Sequence, residues 1–286
     1  MVINDLLKLG LEKLSKREFS NPQLEVRLLL AKLMNVEKTY IYAFGDKDVS
    51  EDISNEFLSL IEKRSNGYPL QYILKHTEFM GLDFHVEEGV LVPRGDTEIL
   101  VEYVLNYVKT RYGEEKVKVL DLGIGSGAIS LSIAYYAPNS NIYGVDIGDT
   151  PIKVSNINKE RLGLDNVEFI KGDLFEPLEG KSFDKSFHII ASNPPYIPKD
   201  VILGLQTEVK DFEPSLALDG GEDGLDFYRR ITSRAKDFLV DKGLLIYEIG
   251  YDQGLDVKNI MLDNGFKDIE ILKDLQGLDR VVLGFS

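Results

Sequence analysis

Apolar residues in the first quarter of the chain recur every three or four positions. Val2, Ile3, Leu6, Leu7, Leu11 and Leu14 fall on one face of a helix. Asn21-Pro22 pairs a capping side chain with proline at a first helical position, and opens a second helix through Leu24, Leu28, Leu29 and Leu33. Tyr40 to Phe44 fits a short helical turn. Ser50 or Asp52 caps a third long helix through Phe57, Leu60 and Ile61, which Asn66-Gly67 ends. Residues 1–75 therefore read as a small helical bundle, serving either as a stabilising cap or as a docking domain for a substrate.

The pattern then changes period. Glu78 to Val86 and Val90 to Val92 are strand-like runs separated by Glu87-Glu88-Gly89, which predicts a hairpin within a linker over residues 76–95. Asp96 or Thr97 is placed to cap a helix carrying Ile99, Leu100, Val104, Leu105 and Val108. From residue 117 strands and helices alternate, the pattern of a doubly wound α/β sheet. Strands are predicted at 117–120, 141–145, 167–171, 188–192 and 243–249. Helices fall at 128–137, 151–162, 225–240 and 253–264. The runs 267–273 and 280–285 follow one another with no helix between them, which predicts an antiparallel edge. The α/β domain is taken as residues 96–286.

With 286 residues, 43% of them apolar, the chain has enough material for one large and one small core. It has no cysteine, so disulfides and thiolate metal sites are excluded and a cytoplasmic setting is permitted. His76, His85 and His188 are scattered, without metal-ligand spacing, and read as structural. The net charge of −15 lowers the case for a bulk nucleic-acid binder, which needs a basic face to release counterions. No run approaches the ~20 apolar residues of a membrane span. The start, Met1-Val2-Ile3-Asn4-Asp5, has neither the basic region nor the apolar core of a signal peptide.

Candidate chemistry gathers at the strand ends. The first strand runs into Asp121-Leu122-Gly123-Ile124-Gly125-Ser126-Gly127, a glycine loop that lets a ligand approach backbone closely. The second ends at Asp146, placed to accept both hydroxyls of a ribose. These features alone also fit a dinucleotide fingerprint. Two others favour S-adenosylmethionine over NAD: Asp121, able to face a methionine amino group, and Gly172-Asp173-Leu174-Phe175. There Asp173 can bond an adenine amino group, and Leu174 or Phe175 can cover the ring. The fourth strand stops at Ser192-Asn193-Pro194-Pro195-Tyr196, because two prolines have no N–H for a ladder. That rigid corner suits a planar NH₂ group. The Asn193 side-chain oxygen and the Pro194 carbonyl can accept its two hydrogens, and Tyr196 can pack on its flat face. A cofactor set of Asp121, Gly123, Ile124, Gly125, Ser126, Gly127, Asp146, Asp173, Leu174 and Asn193 follows.

With these stretches in hand, the sequence resembles the peptide chain release factor N5-glutamine methyltransferases of the HemK/PrmC type. Pro69-Leu70-Gln71-Tyr72-Ile73, Glu78-Phe79, Gly81-Leu82 and Val92-Pro93-Arg94 with Asp96-Thr97-Glu98 carry the match. So do the glycine loop, Asp146, the Asn193 corner, Phe212-Glu213-Pro214, Ala217-Leu218-Asp219-Gly220-Gly221, Asp223 to Tyr228 and Asp279-Arg280-Val281. The resemblance spans the chain from about residue 60, and the helical front end agrees in type and length more than in residues. It implies a class I S-adenosylmethionine-dependent methyltransferase fold, a Rossmann-like seven-stranded sheet with a helical N-terminal domain. It further implies methylation of the side-chain amide nitrogen of the glutamine in the Gly-Gly-Gln motif of class I release factors, which tunes translation termination. Asn193, Pro194 and Tyr196 would be catalytic, and Pro195, Phe212, Glu213 and Pro214 would join them in holding substrate. The expected partners are class I release factors, with no direct nucleic acid, no membrane and a monomeric enzyme. The same corner serves any planar NH₂, so an exocyclic amine of a nucleic acid, or another protein glutamine, stays open as the acceptor. One departure stands out: Gly95 occupies the place of a second proline after Pro93-Arg94. Arg94 and Glu98 receive no catalytic role.

Overall fold

The computed structural model describes residues 1–15 and 21–286, which fall into two compact units. One unit comprises residues 1–76 together with 206–212. The other comprises residues 77–205 and 213–286.

The first unit holds helices α1 (Ile3–Leu14), α2 (Pro22–Met34), α3 (Lys38–Ala43), α4 (Glu51–Ser65) and α5 (Leu70–Leu74). Their apolar faces meet in a core that includes Ile3, Leu6, Leu14, Val26, Leu29, Phe57 and Ile61. Asn21 caps α2 by accepting the Leu24 N–H at 3.2 Å. At α4 the cap is Ser50, which accepts the Ile53 N–H, and not Asp52. Inside this unit Arg64 is almost fully buried. Its guanidinium donates to both carboxylate oxygens of Glu25, at 2.7 and 3.1 Å, and to Glu208 at 2.6 Å. Glu208 belongs to the 206–212 segment, which departs from the second unit and returns to it. The Phe212 ring in the same segment lies 5.3 Å from that of Tyr68.

The second unit opens with a hairpin of β1 (Thr77–Phe79) and β2 (Leu82–Phe84). This differs from the expected turn at Glu87-Glu88-Gly89. Phe79 pairs directly with Leu82, and Met80 and Gly81 both have positive φ, at 52° and 70°. A two-residue loop with that backbone matches the twist of the flanking strands. Val90 and Val92 are buried without joining a ladder.

Next comes α6 (Glu98–Arg111), entered through a single 3₁₀ turn at Gly95–Thr97. Neither Asp96 nor Thr97 caps it. Helical geometry already begins at Gly95, and Thr97 itself is helical, with φ −64° and ψ −22°. Gly95 has an ordinary φ, and a Cβ there would meet nothing within 4 Å. Arg94 before it is extended, as a residue preceding proline prefers. Gly95→Pro is therefore expected to raise stability by about 0.4–1 kcal/mol, chiefly through the unfolded chain. Urea unfolding checks this, and a loss of stability would show that the Gly95 backbone is needed.

The remaining elements build the sheet. In chain order they are β3 (Lys118–Leu122), α7 (Ala128–Tyr136), β4 (Asn141–Asp146), α8 (Asp149–Leu162), β5 (Val167–Lys171), β6 (Phe187–Ser192), α9 (Thr207–Lys210, in the helical unit), α10 (Asp226–Phe238), β7 (Leu239–Glu248), α11 (Gly254–Asp263), β8 (Lys267–Lys273) and β9 (Asp279–Phe285). The seven strands lie in the order β5-β4-β3-β6-β7-β9-β8. Strands β3 to β7 run parallel, and β9 slots in antiparallel between β7 and β8. Side chains alternate across the sheet. Val119, Ile189 and Ile246 meet α6 and α7 on one face, and Leu120, Ile190 and Leu245 meet α10 and α11 on the other. The chain runs outward from β3 to β4 and β5, then returns to β6 on the other side of β3. The ends of β3 and β6 thus form the switch point where open α/β sheets bind ligands. Among the described residues no helix is long and apolar enough to cross a membrane.

Candidate active site

A cavity of about 520 Å³ opens at this switch point, within the second unit. Gly123, Ile124, Gly125 and Ser126 wall it after β3, Asp146 after β4, Asp173 and Leu174 after β5, and Asn193 and Pro195 after β6. Thr97, Arg94, Pro214, Phe227 and Arg230 complete the part that bears on chemistry.

The glycine loop is shaped for close approach. Gly125 has φ of 54°, and a Cβ there would project into open space, so the glycine serves backbone geometry and access. Gly127 stands behind the wall. A side chain there would press on Leu131 and Ser155 at 3.0 Å, so its hydrogen lets α7 pack on α8.

Asp146 folds back over the loop, its two oxygens accepting the Gly125 N–H at 3.1 Å and the Gly148 N–H at 2.9 Å. Burial pushes its carboxyl upward, and those N–H groups pull it back. Each oxygen keeps a second lone pair, which suits the two hydroxyls of a ribose.

Asp121 differs from expectation. Its carboxyl is fully buried and lies off the cavity wall. One oxygen accepts both the N–H and the O–H of Ser130, at 3.1 and 2.6 Å, tying β3 to the first turn of α7. An anion at a helix N-terminus is well placed. The other oxygen, Oδ1, is buried without a hydrogen-bond partner, and burial pushes the carboxyl up to about 7.

Asp173 lines the cavity, with one oxygen held by Arg230 at 2.6 Å. The Arg230 guanidinium also sits 5.6 Å from the Phe227 ring centroid. Leu174 follows with φ of 48°, a strained conformation for a leucine, and thereby joins the wall. Phe175 turns into the core against Phe238 instead of towards the cavity, so Leu174 is the one placed to cover an adenine.

At the end of β6, Ser192 donates to the Leu122 carbonyl at 2.6 Å and pins the strand to β3. Asn193 and Pro195 face the cavity, whereas Pro194 is buried behind them. The Asn193 Nδ2 donates to Thr97 Oγ1 at 3.3 Å. Tyr196 is placed differently from the expected lid over a planar amide. Its ring packs against the α10–α11 core, off the cavity wall, and burial pushes its phenol upward. Its carbonyl accepts from Gln253 at 2.9 Å. Gly224 lies so close to that carbonyl that a Cβ would stand 2.4 Å from it.

The Phe212-Glu213-Pro214 stretch divides. Phe212 belongs to the helical unit, and only Pro214 reaches the cavity wall. Glu213 is buried with both oxygens on the Arg94 guanidinium, at 2.7 and 2.6 Å, so its part is to hold Arg94, which lines the cavity. His188 is structural: its Nδ1 accepts the Lys118 N–H at 3.0 Å, and burial lowers its pKa.

Sequence reasoning missed Phe227 and Arg230, which occupy ordinary amphipathic positions in α10. It also missed Glu248, although a lone acid ending the apolar run Leu244-Leu245-Ile246-Tyr247 was a readable signal.

These residues fit an S-adenosylmethionine-type ligand on two counts. The loop leaves backbone open where a side chain would intrude, and Asp146 keeps acceptor capacity.

Residues 5–74 match the PrmC N-terminal domain, and residues 114–233 match a methyltransferase domain. The release factor glutamine methyltransferase of Clostridium acetobutylicum is 46% identical over 260 residues, covering 90% of this chain and 89% of that one. Its counterpart in Clostridium botulinum is 41% identical, covering 99% and 98%. A methyltransferase from Pyrococcus furiosus has the same fold, with a TM-score of 0.51 at 19% identity, covering 81% of this chain and 98% of that one.

Proposed function

This chain belongs to the release factor glutamine methyltransferases, and we propose that it moves a methyl group from S-adenosylmethionine to the side-chain amide nitrogen of the glutamine in the Gly-Gly-Gln motif of class I release factors. The observation that carries this reading is the placement of Asn193 on the cavity wall at the end of β6, with its nitrogen committed to Thr97. An amide so held offers its oxygen to an incoming NH₂.

The cofactor, when bound, supplies a methyl group activated on a sulfonium. Asp146 is the residue for its ribose, and Asp173 with Leu174 for its adenine. Asp121 acts from beneath, by fixing the loop that those groups rest on. The acceptor is an amide nitrogen, a poor nucleophile because its lone pair is delocalised into the carbonyl. No base of ordinary strength removes its proton first. The work of the site would be to hold the NH₂ by its hydrogens, one on the Asn193 oxygen at the cavity wall and the other on the backbone carbonyl of Pro194, whose ring is buried behind that wall. Positioning of that kind is worth up to roughly 7–11 kcal/mol. The same oxygens favour the positive charge that develops on nitrogen. Tyr196 contributes through its carbonyl, clamped by Gln253, which fixes the corner's path.

In this reading the helical unit, residues 1–76 with the 206–212 segment, helps to hold the release factor, and the enzyme acts as a cytoplasmic monomer without a nucleic-acid partner. The test is mass spectrometry of a release factor incubated with the enzyme and S-adenosylmethionine. One added methyl on the Gly-Gly-Gln glutamine is expected. An unmodified factor alongside methylated RNA or DNA would transfer the chemistry to an exocyclic base amine and overturn the choice of substrate.

A further inference from the structure

Strand β7 is buried along its second half and ends on an acid. Leu244 to Tyr247 lie in the sheet core, and Glu248 is 2% exposed. The parallel register pairs Tyr247 with Ser192, so Glu248 stands level with Asn193 one step beyond the ladder. The Thr97 and Asn193 side chains lie beside its carboxyl and favour its ionised form. Thr97 in turn accepts from Asn193 Nδ2. Glu248 Oε2 has no hydrogen-bond partner and is shut off from solvent. From β9, Arg280 attracts the carboxyl while ion-pairing with Asp96 at 3.2 Å and Asp274 at 3.1 Å.

A carboxylate held this way is costly unless it does something for its neighbours. Its effect here is on a choice that sterics leave open. The two ends of an asparagine amide are nearly the same size, so packing alone does not decide which faces the cavity. An ionised carboxylate does decide it, because it accepts hydrogen bonds and cannot donate them. The amide nitrogen is drawn inward and the oxygen is left outward.

We propose that Glu248 is a positioning residue that, together with Thr97, locks the Asn193 side chain with its nitrogen turned inward and its oxygen presented to the reacting amide. The inference rests on the assignment of Asn193 as acceptor for the substrate NH₂, and it gives work to two motif segments, Asp96-Thr97-Glu98 and Asp279-Arg280-Val281, that the reaction itself leaves unused. Burial pushes the Glu248 carboxyl up to about 7, and Thr97, Arg280 and Asn193 pull it back towards the ionised form.

The test uses Glu248→Gln, whose amide has a donor as well as an acceptor and so lets Asn193 settle either way round. kcat is expected to fall tenfold or more, with KM for S-adenosylmethionine unchanged within twofold and no loss of thermal stability at pH 8. In an Asn193→Ala background the same substitution is expected to change kcat by less than twofold, since the group it acts through is gone. An equal loss in both backgrounds would overturn the proposal. So would wild-type kcat in the single variant. A second measurement does not depend on the substrate assignment. The side-chain ¹⁵N–¹H₂ signals of Asn193, identified by their absence in Asn193→Ala, are expected to exchange with solvent at least tenfold faster in Glu248→Gln than in wild type. Equal exchange would overturn the lock even if the enzyme methylates something else. Faster exchange with no methylation of a release factor would keep the lock and overturn only the substrate.

Discussion

Asn193→Ala is expected to lower kcat on a release factor by about 10²–10³-fold, the range found when one hydrogen-bonding group aimed at a transition state is removed. Affinity for S-adenosylmethionine should change by no more than about threefold, because the interaction lost is made chiefly in the transition state. Asn193 stands on the cavity wall at the strand end. The Ser192 hydroxyl anchors the preceding residue to Leu122, and Gln253 holds the carbonyl two residues beyond Pro194. The corner is therefore fixed on both sides, and cutting back one side chain leaves its backbone in place. Single-turnover methylation and calorimetric titration of the cofactor separate the two quantities. Equal losses in both would mean that the substitution collapses the cavity, and that Asn193 is not the acceptor.

The second large effect is on stability, and it runs opposite to the usual acid sensitivity. Asp121 and Glu248 are buried carboxyls pushed up to about 7 from ordinary values of 3.8 and 4.5. Between those limits the folded chain holds protons that the unfolded chain has released. Stability therefore falls as pH rises through this window and levels off above the folded values. At about 1.4 kcal/mol per unit for each group, the drop from pH 5 to pH 8 is expected to be about 5 kcal/mol. His188, depressed by burial, works the other way below its ordinary value and offsets a small part. Carboxyls held low, such as Asp223 and Asp274, act only under more acid conditions. Urea unfolding at pH 5 and pH 8 measures the difference. Asp121→Asn keeps an oxygen for Ser130 and removes the titrating charge, so it should be more stable than wild type at pH 8 and show about half the drop. Stability rising from pH 5 to pH 8 in wild type would contradict the burial of both groups as ionisable acids.

Most of the sheet was readable from sequence because its strands are apolar runs closed by glycine, proline or acid. The run ending at Ser192 is the clearest, since two prolines permit nothing else there. The position of β9 between β7 and β8 was not readable. Adjacency of two strands in sequence says that they pair, but not which of them also pairs with β7. The hairpin is not legible because Met80-Gly81 lacks the usual asparagine or aspartate signal, whereas Glu87-Glu88-Gly89 is more polar and carries a turn-type glycine. At the site, the line of Gly123, Gly125, Asp146, Asp173 and Asn193 was legible, as each sits at a strand end where topology forces convergence. The directions of Asp121 and Tyr196 were not. Both are a matter of which way a side chain turns once Ser130, or the α10–α11 core, competes for it. Glu248 went unseen for the same reason: its meaning depends on Asn193 being alongside, which only the register supplies.

The helical unit is not continuous in sequence, and this sets an order of events during synthesis. When residue 76 leaves the ribosome, Arg64 can already reach Glu25, but Glu208 has not been made and Tyr68 still lacks the Phe212 ring. Those pieces arrive only after β3, β4, β5 and β6 have been translated. The N-terminal bundle therefore emerges first and is finished late. Its last ion pair and last aromatic contact become possible only after the strands on both sides of the switch point have been made, and before Phe227 and Arg230 close the cavity wall.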